Sequence, residues 1–347
     1  MPRKTTIKDV AARAGVSYQT VSRVINEKGE VSPEARAHVE KAIAELDYQP
    51  NAIARSMIRG RTHTLGFIAP NLVDYTFACL AEGATSEARQ RGYFLMSIAT
   101  QKEEEVGVWC DEIIGSGRAE GIIAANPYAE ERHKYFERLA ERGAPVVFFG
   151  ANWYMGKVSS VQGGNEEGAY LAAHHLISLG HTRITMLAGP LNEDSTQRRS
   201  RGFARALEEA GLEVSPELVA SGDWSASSGY DAMQHWLHTD RLFTALFAQN
   251  DRMAVGAIRA ARQHGRRVPE DLAVVGFDDI PLATYFDPPL TTVYQDFFLQ
   301  GREGARILIE TIENPSRAPE NIIIPSQLVV RESCGAKQAA SREVGSR

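Results

Sequence analysis

The amino-terminal segment of this 347-residue chain, residues 5–26, reads TTIKDVAARAGVSYQTVSRVIN. Thr6 precedes an apolar periodic stretch and Asp9 follows three positions later, a spacing that predicts a capping box at the start of a helix. Gly15 can supply the positive φ that a sharp corner between two helices often needs. The segment is therefore predicted to form two short helices around a tight turn.

The predicted second helix has an apolar side and a polar side. Ser17 can cap it, and Val21, Val24 and Ile25 have the spacing of a buried face. Side chains that can reach base edges or phosphates remain exposed: Tyr18, Gln19, Ser22, Arg23 and Asn26. A third helix should begin at Pro33 after a Ser32 cap and close a small core. Spacing alone leaves open a helical hairpin without any nucleic-acid role.

The charge distribution favours the nucleic-acid interpretation. Residues 1–62 contain 11 Lys or Arg against 7 Asp or Glu, a net charge of +4. The remaining residues contain 27 against 37, a net charge of −10, which accounts for the −6 of the whole chain. A basic head on an acidic body suits contact with a polyanion through one end of the protein.

The body alternates short apolar runs with amphipathic helices. One set of predicted strands covers residues 65–70, 93–99, 121–126 and 145–150, and a second set covers 184–189, 218–222, 245–250 and 272–278. Strands that alternate with helices predict parallel sheets covered on both faces, and two sets predict two lobes. The expected fold class is an all-α helix-turn-helix head followed by an α/β two-lobed body.

The head and the segment after it closely resemble those of LacI-family transcriptional regulators. The similarity covers Thr6 to Asn26, Val31-Ser32 and residues 46–56, and the recognition helix is most similar to the lac branch of the family. The resemblance extends to about residue 334 and implies a periplasmic-binding-protein-like body. It also implies chain crossovers between the lobes near residues 162–164, 291–295 and 322–326, with last strands at 321–324 and 327–331.

The resemblance implies which residues contact DNA. Tyr18, Gln19 and Arg23 would read bases, with Ile7 assisting. The expected phosphate contacts are Ser17, Thr20, Ser22, Asn26 and Asn51, and Thr6 and Ala54 belong to the same interface. The family's hinge becomes helical on operator DNA and inserts a leucine into the minor groove. This chain has Met57 at that position, which is similar in volume and more flexible.

Polar residues directly after predicted strands are candidates for a ligand site, because ligands of open parallel sheets bind at the carboxyl ends of strands. By resemblance, Arg199, Asn250 and Asp278 correspond to the family's effector-binding residues, and Trp224 to an aromatic wall suited to a sugar face. Alternatives stay open: an Arg199–Asp278 salt bridge, Asn250 as a helix cap, and Trp224 in the core. Asp251 is expected to be a cap rather than a ligand contact.

The first lobe departs from the family pattern, which limits what the head implies about the ligand. Gly150 stands where the lac branch carries a ligand-binding Asp, and Gly163-Gly164-Asn165 replaces an Asp-Asn pair common among relatives. A galactoside is therefore not implied. The expected ligand is a small polar effector, with a sugar favoured and a nucleobase corepressor as an alternative.

The sequence argues against enzyme classes with recognisable motifs. It lacks a Gly-x-Ser-x-Gly elbow, a Walker A loop and a His-Glu-x-x-His zinc motif, and its glycine-rich stretch at 115–121 precedes a strand. His235 and His238 have helical spacing but are expected on the surface, and the three cysteines have no metal or disulfide spacing. No cofactor, no metal and no membrane span are expected, and the protein should be cytoplasmic.

The sequence thus predicts a ligand-responsive DNA-binding repressor, acting as a homodimer on a pseudopalindromic operator in double-stranded DNA. A solute-binding protein without a DNA role and an enzyme on an α/β scaffold are the rival classes. The expected parts are a head (1–49), a hinge (50–62), a first lobe (63–162 with 292–322), a second lobe (163–291 with 323–334) and a polar tail (335–347).

Overall fold

A computed structural model describes residues 5–26, 29–48, 61–100, 102–126, 132–150, 158–239 and 242–336. Its internal contacts divide the chain into two compact units, residues 1–62 and 63–347. Each unit has its own hydrophobic core and is described by itself. Asn51, Ala54 and Met57, which the sequence analysis assigned to the DNA interface, lie outside the described residues.

The first unit is a three-helix head made of α1 (Ile7–Ala14), α2 (Tyr18–Asn26) and α3 (Pro33–Glu45). The predicted capping box is present, because Thr6 accepts from the Asp9 amide and the Asp9 carboxylate accepts from the Thr6 amide. Gly15 adopts φ 69° at the corner before α2. Ser32 caps α3 as predicted, accepting from the Ala35 amide at 3.2 Å.

The head is held together by a small apolar core. Val10 of α1, Val21 of α2 and Val39 of α3 are each fully buried, and Ala42 is 2% exposed. Val21 comes from the face of α2 that the sequence spacing predicted to be buried. Burying one face of each helix leaves the opposite face of α2 exposed to solvent.

The first lobe of the second unit is a six-stranded parallel sheet in the order β11-β5-β4-β3-β1-β2. Its strands are β1 (Thr64–Ala69), β2 (Phe94–Ala99), β3 (Gly121–Ala125), β4 (Val146–Phe149), β5 (Ser159–Gly163) and β11 (Asn321–Ile324). Its helices are α4 (Tyr75–Gln90), α5 (Glu103–Cys110, continued by a π-helical turn Asp111–Gly115), α6 (His133–Glu141) and α11 (Phe297–Glu313). Helices α4 and α11 cover one face, and α5 and α6 cover the other.

The second lobe is a four-stranded parallel sheet in the order β7-β6-β8-β9. Its strands are β6 (Ile184–Ala188), β7 (Val219–Ser221), β8 (Ala245–Ala248) and β9 (Ala273–Val275). Its helices are α7 (Asn165–Ser178), α8 (Asp194–Glu209), α9 (Ala226–Leu237) and α10 (Asp251–Gln263). Helices α9 and α10 pack on one face, and α7 and α8 pack on the other. The predicted fold class is confirmed.

Three chain passages join the two lobes. β5 ends at Gly163 and α7 of the other lobe begins at Asn165. β10 (Thr292–Tyr294) precedes α11, and β11 is followed directly by β12 (Gln327–Val329). β5 and β10 were not predicted as strands, because both are short and polar residues interrupt them.

The domain division differs from the expected one around these passages. β10 pairs antiparallel with β12, and Asp278 and Tyr294 form a bridge to the edge of the second sheet. Residues 292–294 therefore lie with the second lobe, whereas residues 292–322 were expected in the first. Residues 323–324 belong to β11 of the first sheet rather than to the second lobe. A short strand at a crossover pairs with the sheet edge that has free backbone hydrogen-bonding groups. The order of the elements along the chain does not specify which edge that is.

In the described ranges, every helix is too short or too polar to cross a lipid bilayer.

Close helix packing in the second lobe provides a test of the fold. A Cβ on Gly256 of α10 would lie 1.9 Å from the Ala226 carbonyl oxygen of α9. Helix propensity favours alanine by about 1 kcal/mol, but separating two packed helices costs more. We expect Gly256→Ala to lower the free energy of unfolding by about 1–3 kcal/mol in urea titrations.

Gly115→Ala is the matched control, because its Cβ would meet no atom within 4 Å. This variant should be as stable as the wild type or slightly more stable. Equal stability of the Gly256→Ala variant and the wild type would contradict the close approach of α9 and α10.

Candidate functional site

The exposed side of α2 presents the side chains that were predicted to contact bases. Tyr18 is 56% exposed, and Gln19 and Arg23 are also exposed. Ser22 is half-buried at the margin of the same surface. The structure thus places the three predicted base contacts on the solvent side of one helix, where they could enter a groove.

Other predicted DNA contacts have structural partners within the head. The Ser17 hydroxyl accepts from the Thr20 amide at 3.1 Å and lies 3.0 Å from the Thr20 hydroxyl. The Thr6 hydroxyl donates to Asp9 Oδ2 at 2.7 Å, and Ile7 packs partly against the head core. For Asn26 only the backbone is described, at the last position of α2. These residues have capping or packing roles that a DNA contact would have to accommodate.

A cavity of about 260 Å³ lies between the two lobes of the second unit. It is lined from both sides by residues at the carboxyl ends of parallel strands, which is where open α/β sheets bind ligands. All four predicted effector residues line it: Arg199, Trp224, Asn250 and Asp278. The structure therefore brings together side chains that are up to 79 positions apart in the chain.

The Arg199 side chain is bonded to three different parts of the second lobe. The residue is 6% exposed, and its guanidinium donates from Nε to Asn165 Oδ1 at 2.9 Å and from Nη1 to the Gln249 carbonyl, and pairs with Asp278 Oδ1 at 3.2 Å. It also lies 3.9 Å from the centre of the Phe277 ring. The salt bridge considered as an alternative is thus present, and it faces the cavity.

Asn250 and Trp224 are linked to each other and to the helices behind them. Asn250 caps α10, accepting from the Met253 amide at 2.8 Å, and donates from Nδ2 to the Trp224 carbonyl at 3.0 Å. The Trp224 indole donates to Glu193 Oε2 at 3.1 Å. Asn250 therefore has the cap role considered as an alternative and is also a cavity wall residue.

Three residues that follow strands at this cavity have a left-handed backbone. Asn126, Trp224 and Asp278 adopt φ angles of 50°, 70° and 105°. Non-glycine residues in this region cost of order 1–3 kcal/mol each and are found mostly at functional sites. The strain turns these residues sharply out of their strands, next to the cavity.

The first-lobe wall contains polar residues that were not predicted to belong to the site. Asp74 accepts from Arg252 Nη1 at 2.9 Å, and Asn126 donates to Glu193 Oε2 at 3.2 Å, so both bonds join one lobe to the other. Gly150, the departure from the family pattern, also lines the cavity. Each of these two polar pairs joins a residue that follows a strand of one sheet to a residue that follows a strand of the other. The order of the residues along the chain does not reveal such pairs.

A set of amide side chains where the lobes meet was not assigned to the site from the sequence. Its members line the cavity and are Gln162, Asn165, Gln295 and Gln300. Their positions could have been found from the chain order, since each lies within a few residues of a predicted crossover. Their amide chemistry gave no motif, which is why the sequence did not single them out.

Burial controls the protonation of the two aspartates near Arg199. Burial raises the pKa of Asp278 to about 7, although the Arg199 guanidinium opposes this shift. Burial also raises the pKa of Asp251 well above its ordinary value. Asp251 accepts from the Thr292 hydroxyl at 2.5 Å and from the Ile280 amide at 2.8 Å. It thus binds the second lobe's own crossover and is not among the cavity-lining residues.

The described residues contain no group of three His, Cys, Asp or Glu side chains that could hold a metal ion. His238 follows the last turn of α9, and its ring lies 5.2 Å from that of His264. His235 lies in the same last turn and is exposed.

The raised pKa of Asp278 gives a pH dependence with a defined sign. A carboxyl whose pKa is higher in the folded than in the unfolded state stabilises the fold below about pH 4, and this contribution is lost as the pH rises to 7. We expect the free energy of unfolding of the wild type, relative to Asp278→Asn, to fall by about 1 kcal/mol or more between pH 4 and 7.

Asp223 at the same cavity is the control for urea unfolding across this pH range. Hydrogen bonds from Ser225 lower the pKa of Asp223, so its contribution is lost only as the pH falls below the usual aspartate range. The wild type should therefore show no such fall relative to Asp223→Asn between pH 4 and 7. A flat difference for Asp278→Asn would contradict the raised pKa.

Comparison with known proteins agrees with this architecture. Residues 6–51 match the model of bacterial regulatory proteins of the lacI family, and residues 173–334 match the periplasmic binding protein-like domain. Over 332 residues the chain is 34% identical to the HTH-type transcriptional repressor PurR of Haemophilus influenzae (strain PittEE), covering 94% of this chain and 98% of that protein.

Two solved structures are also similar. The lac repressor dimer bound to operator and the anti-inducer ONPF matches with a TM-score of 0.87 at 31% identity, covering 96% of this chain and 99% of that one. The complex of the transcriptional regulator CelR with cellobiose matches with a TM-score of 0.73 at 34% identity, covering 95% and 100%. These relatives are regulatory proteins and not enzymes. The chain belongs to the LacI family of bacterial regulatory proteins.

Proposed function

We propose that this protein is a cytoplasmic repressor that binds operator DNA through its head and is controlled by a small polar effector in the cavity between its lobes. The observation that carries the proposal is the pairing of an exposed polar helix in a helix-turn-helix head with a polar cavity at the carboxyl ends of two sheets. A solute-binding protein without a DNA role is opposed by the family match of the head.

The proposed DNA contacts are divided by chemistry. Tyr18, Gln19 and Arg23 read base edges in the major groove, supported by their exposure on α2, with Ile7 assisting. The phosphate contacts are Ser17, Thr20, Ser22, Asn26 and Asn51. Thr6 and Ala54 complete the interface, and Met57 is the proposed wedge in the minor groove. One head reads one half-site, so we propose a homodimer on a pseudopalindromic operator.

The cavity chemistry supports a neutral polyhydroxyl effector such as a sugar. Among its described lining residues are five carboxylates (Asp74, Glu193, Asp194, Asp223 and Asp278) and two guanidiniums. Arg199 is paired with Asp278 and Arg252 with Asp74, so neither guanidinium is free for an anion. This arrangement accepts hydroxyl donors and disfavours a phosphate or carboxylate ligand.

The second candidate effector is a nucleobase acting as a corepressor. It is favoured by the aromatic share of the cavity wall, where Phe77, Phe149, Trp224 and Phe297 offer faces for stacking. The two candidates differ in the sign of the response. An inducing sugar lowers operator affinity, whereas a corepressor raises it.

The effector proposal is tested by thermal unfolding of the full chain with D-ribose, D-galactose, D-glucose, cellobiose, glucose 6-phosphate and hypoxanthine. We expect a rise in Tm with at least one neutral sugar and none with glucose 6-phosphate. A rise with hypoxanthine alone would select the corepressor alternative. Fluorescence anisotropy with a labelled lac-like operator then gives the sign of the response.

Gln19→Ala tests the proposed base contact. A bidentate glutamine contact discriminates against the wrong base by about 1–3 kcal/mol. We expect the variant to lose roughly tenfold or more of its preference for a lac-like operator over a base-substituted one, with its binding to non-specific DNA little changed. His38→Ala, an exposed change on α3, is the control. Unaltered preference in Gln19→Ala would exclude Gln19 from base reading.

Trp224→Leu tests the cavity without removing the buried Arg199 charge. Loss of the aromatic wall should weaken the effector about tenfold or more, while operator affinity stays within about twofold of the wild type. Trp109→Leu is the matched control, since Trp109 is half-buried against a core of the first lobe and does not line the cavity. Operator binding lost in Trp224→Leu would indicate that Trp224 is structural.

A further inference from the structure

Two glutamines of the cavity wall each carry a buried polar atom without a hydrogen-bond partner among the residues described by the structure. These atoms are Gln162 Oε1 and Gln300 Nε2. Gln300 as a whole is only 5% exposed. A buried amide atom without a partner is unfavourable, so the stability of the fold does not explain these two side chains.

The first lobe holds both side chains close to the chain passage between the lobes. Gln162 lies in β5, and Gln300 lies in the first turn of α11, which packs across that sheet. A Cβ on Gly163 would lie 1.5 Å from Gln295 Oε1 and 3.2 Å from Gln300 Nε2. Glycine at position 163 therefore allows the amides to approach the strand.

The amide group is connected to the assigned side of the cavity. Gln295 donates from Nε2 to Asn165 Oδ1 at 3.3 Å, and the same oxygen accepts from Arg199. The hydrogen-bonded series from Arg199 through Asn165 thus reaches Gln295, and Gln162 and Gln300 line the same cavity. They lie on the first-lobe side of the cavity, whereas the Arg199 guanidinium on the second-lobe side already has three partners.

Gln249 is a buried glutamine whose side-chain amide is hydrogen-bonded within the fold, and it serves as a comparison. Gln249 is fully buried, donates to the Thr196 carbonyl at 3.3 Å and to the Ser200 hydroxyl at 3.0 Å, and accepts from the Gly189 amide at 3.2 Å. Its amide is satisfied on both sides, and it does not line the cavity. Gln162 and Gln300 differ from Gln249 in two respects: they line the cavity, and each has an amide atom without a partner among the described residues.

We propose that Gln162 and Gln300 form a hydroxyl-binding subsite, in which one effector hydroxyl donates to Gln162 Oε1 and a second hydroxyl accepts from Gln300 Nε2. This inference rests on the proposed sugar-type effector and assigns it two specificity-determining residues. A hydroxyl is neutral and can either donate or accept, so the hydroxyls of one ligand can satisfy both atoms. A phosphate oxygen accepts only, and a methylene does neither, so each would leave a buried amide atom unpaired.

The test compares Gln162→Met and Gln300→Met in the full chain, with Gln249→Met as the matched control. Methionine keeps an unbranched side chain of similar length and removes the amide. The sugars are D-ribose, D-galactose, D-glucose and cellobiose, followed by monodeoxy analogues of whichever raises the wild-type Tm. Thermal unfolding without sugar gives the stability, and calorimetric titration gives the affinity.

We expect Gln162→Met and Gln300→Met to keep or raise the Tm without sugar, whereas Gln249→Met lowers it by about 2–4 °C or more. Sugar binding should weaken about tenfold in each cavity variant. One monodeoxy analogue should bind the wild type as weakly as the parent sugar binds Gln300→Met. The same analogue should bind Gln300→Met no more weakly than it binds the wild type, because both changes remove the same hydrogen bond.

Two results would overturn the subsite while leaving the proposed function intact. One is a fall in Tm for both cavity variants as large as that of Gln249→Met, which would make these amides structural. The other is unchanged sugar affinity in both variants. If none of the four sugars raises the Tm of the wild type, the sugar-type effector fails and the hydroxyl subsite fails with it.

Discussion

The buried Arg199 guanidinium is the interaction on which the second-lobe wall of the cavity depends. It bonds to a carboxylate after β9, to a carbonyl after β8 and to Asn165 at the start of α7. A buried cation costs several kcal/mol of desolvation unless its partners are held in place, so these three elements must keep their relative positions. The same constraint fixes the end of the first chain passage, because Asn165 also accepts from Gln295.

Bonds between the lobes add to this arrangement. Arg252 with Asp74, and Asn126 with Glu193, join groups from opposite sides of the cavity. Exposed ion pairs contribute little, and Arg252 is 47% exposed, so these contacts orient the lobes without binding them strongly. A ligand that contacted both walls would therefore change the relative stability of the lobe arrangements, and coupling between two binding sites requires such a difference.

Much of the fold and part of the site could be predicted from the sequence. Caps at Thr6 and Ser32 and the two sets of apolar runs are local signals, since they depend on side chains within a few positions. Arg199 and Asp278 were found through the resemblance to a family and through their positions after strands. Gln162 and Gln300 were not found, because an amide has no characteristic spacing and their importance comes from an unsatisfied atom in a folded interior.

The sequence by itself determined the three-helix head, the parallel α/β lobes and the family to which the chain belongs. The tertiary structure decided which side chains share a cavity, that Asn250 is both a cap and a wall residue, and that burial raises the pKa of Asp278. It also decided that β10 lies with the second lobe. The physical reason is that hydrophobic periodicity and capping are local, whereas burial, desolvation and hydrogen-bond satisfaction depend on residues distant in the chain.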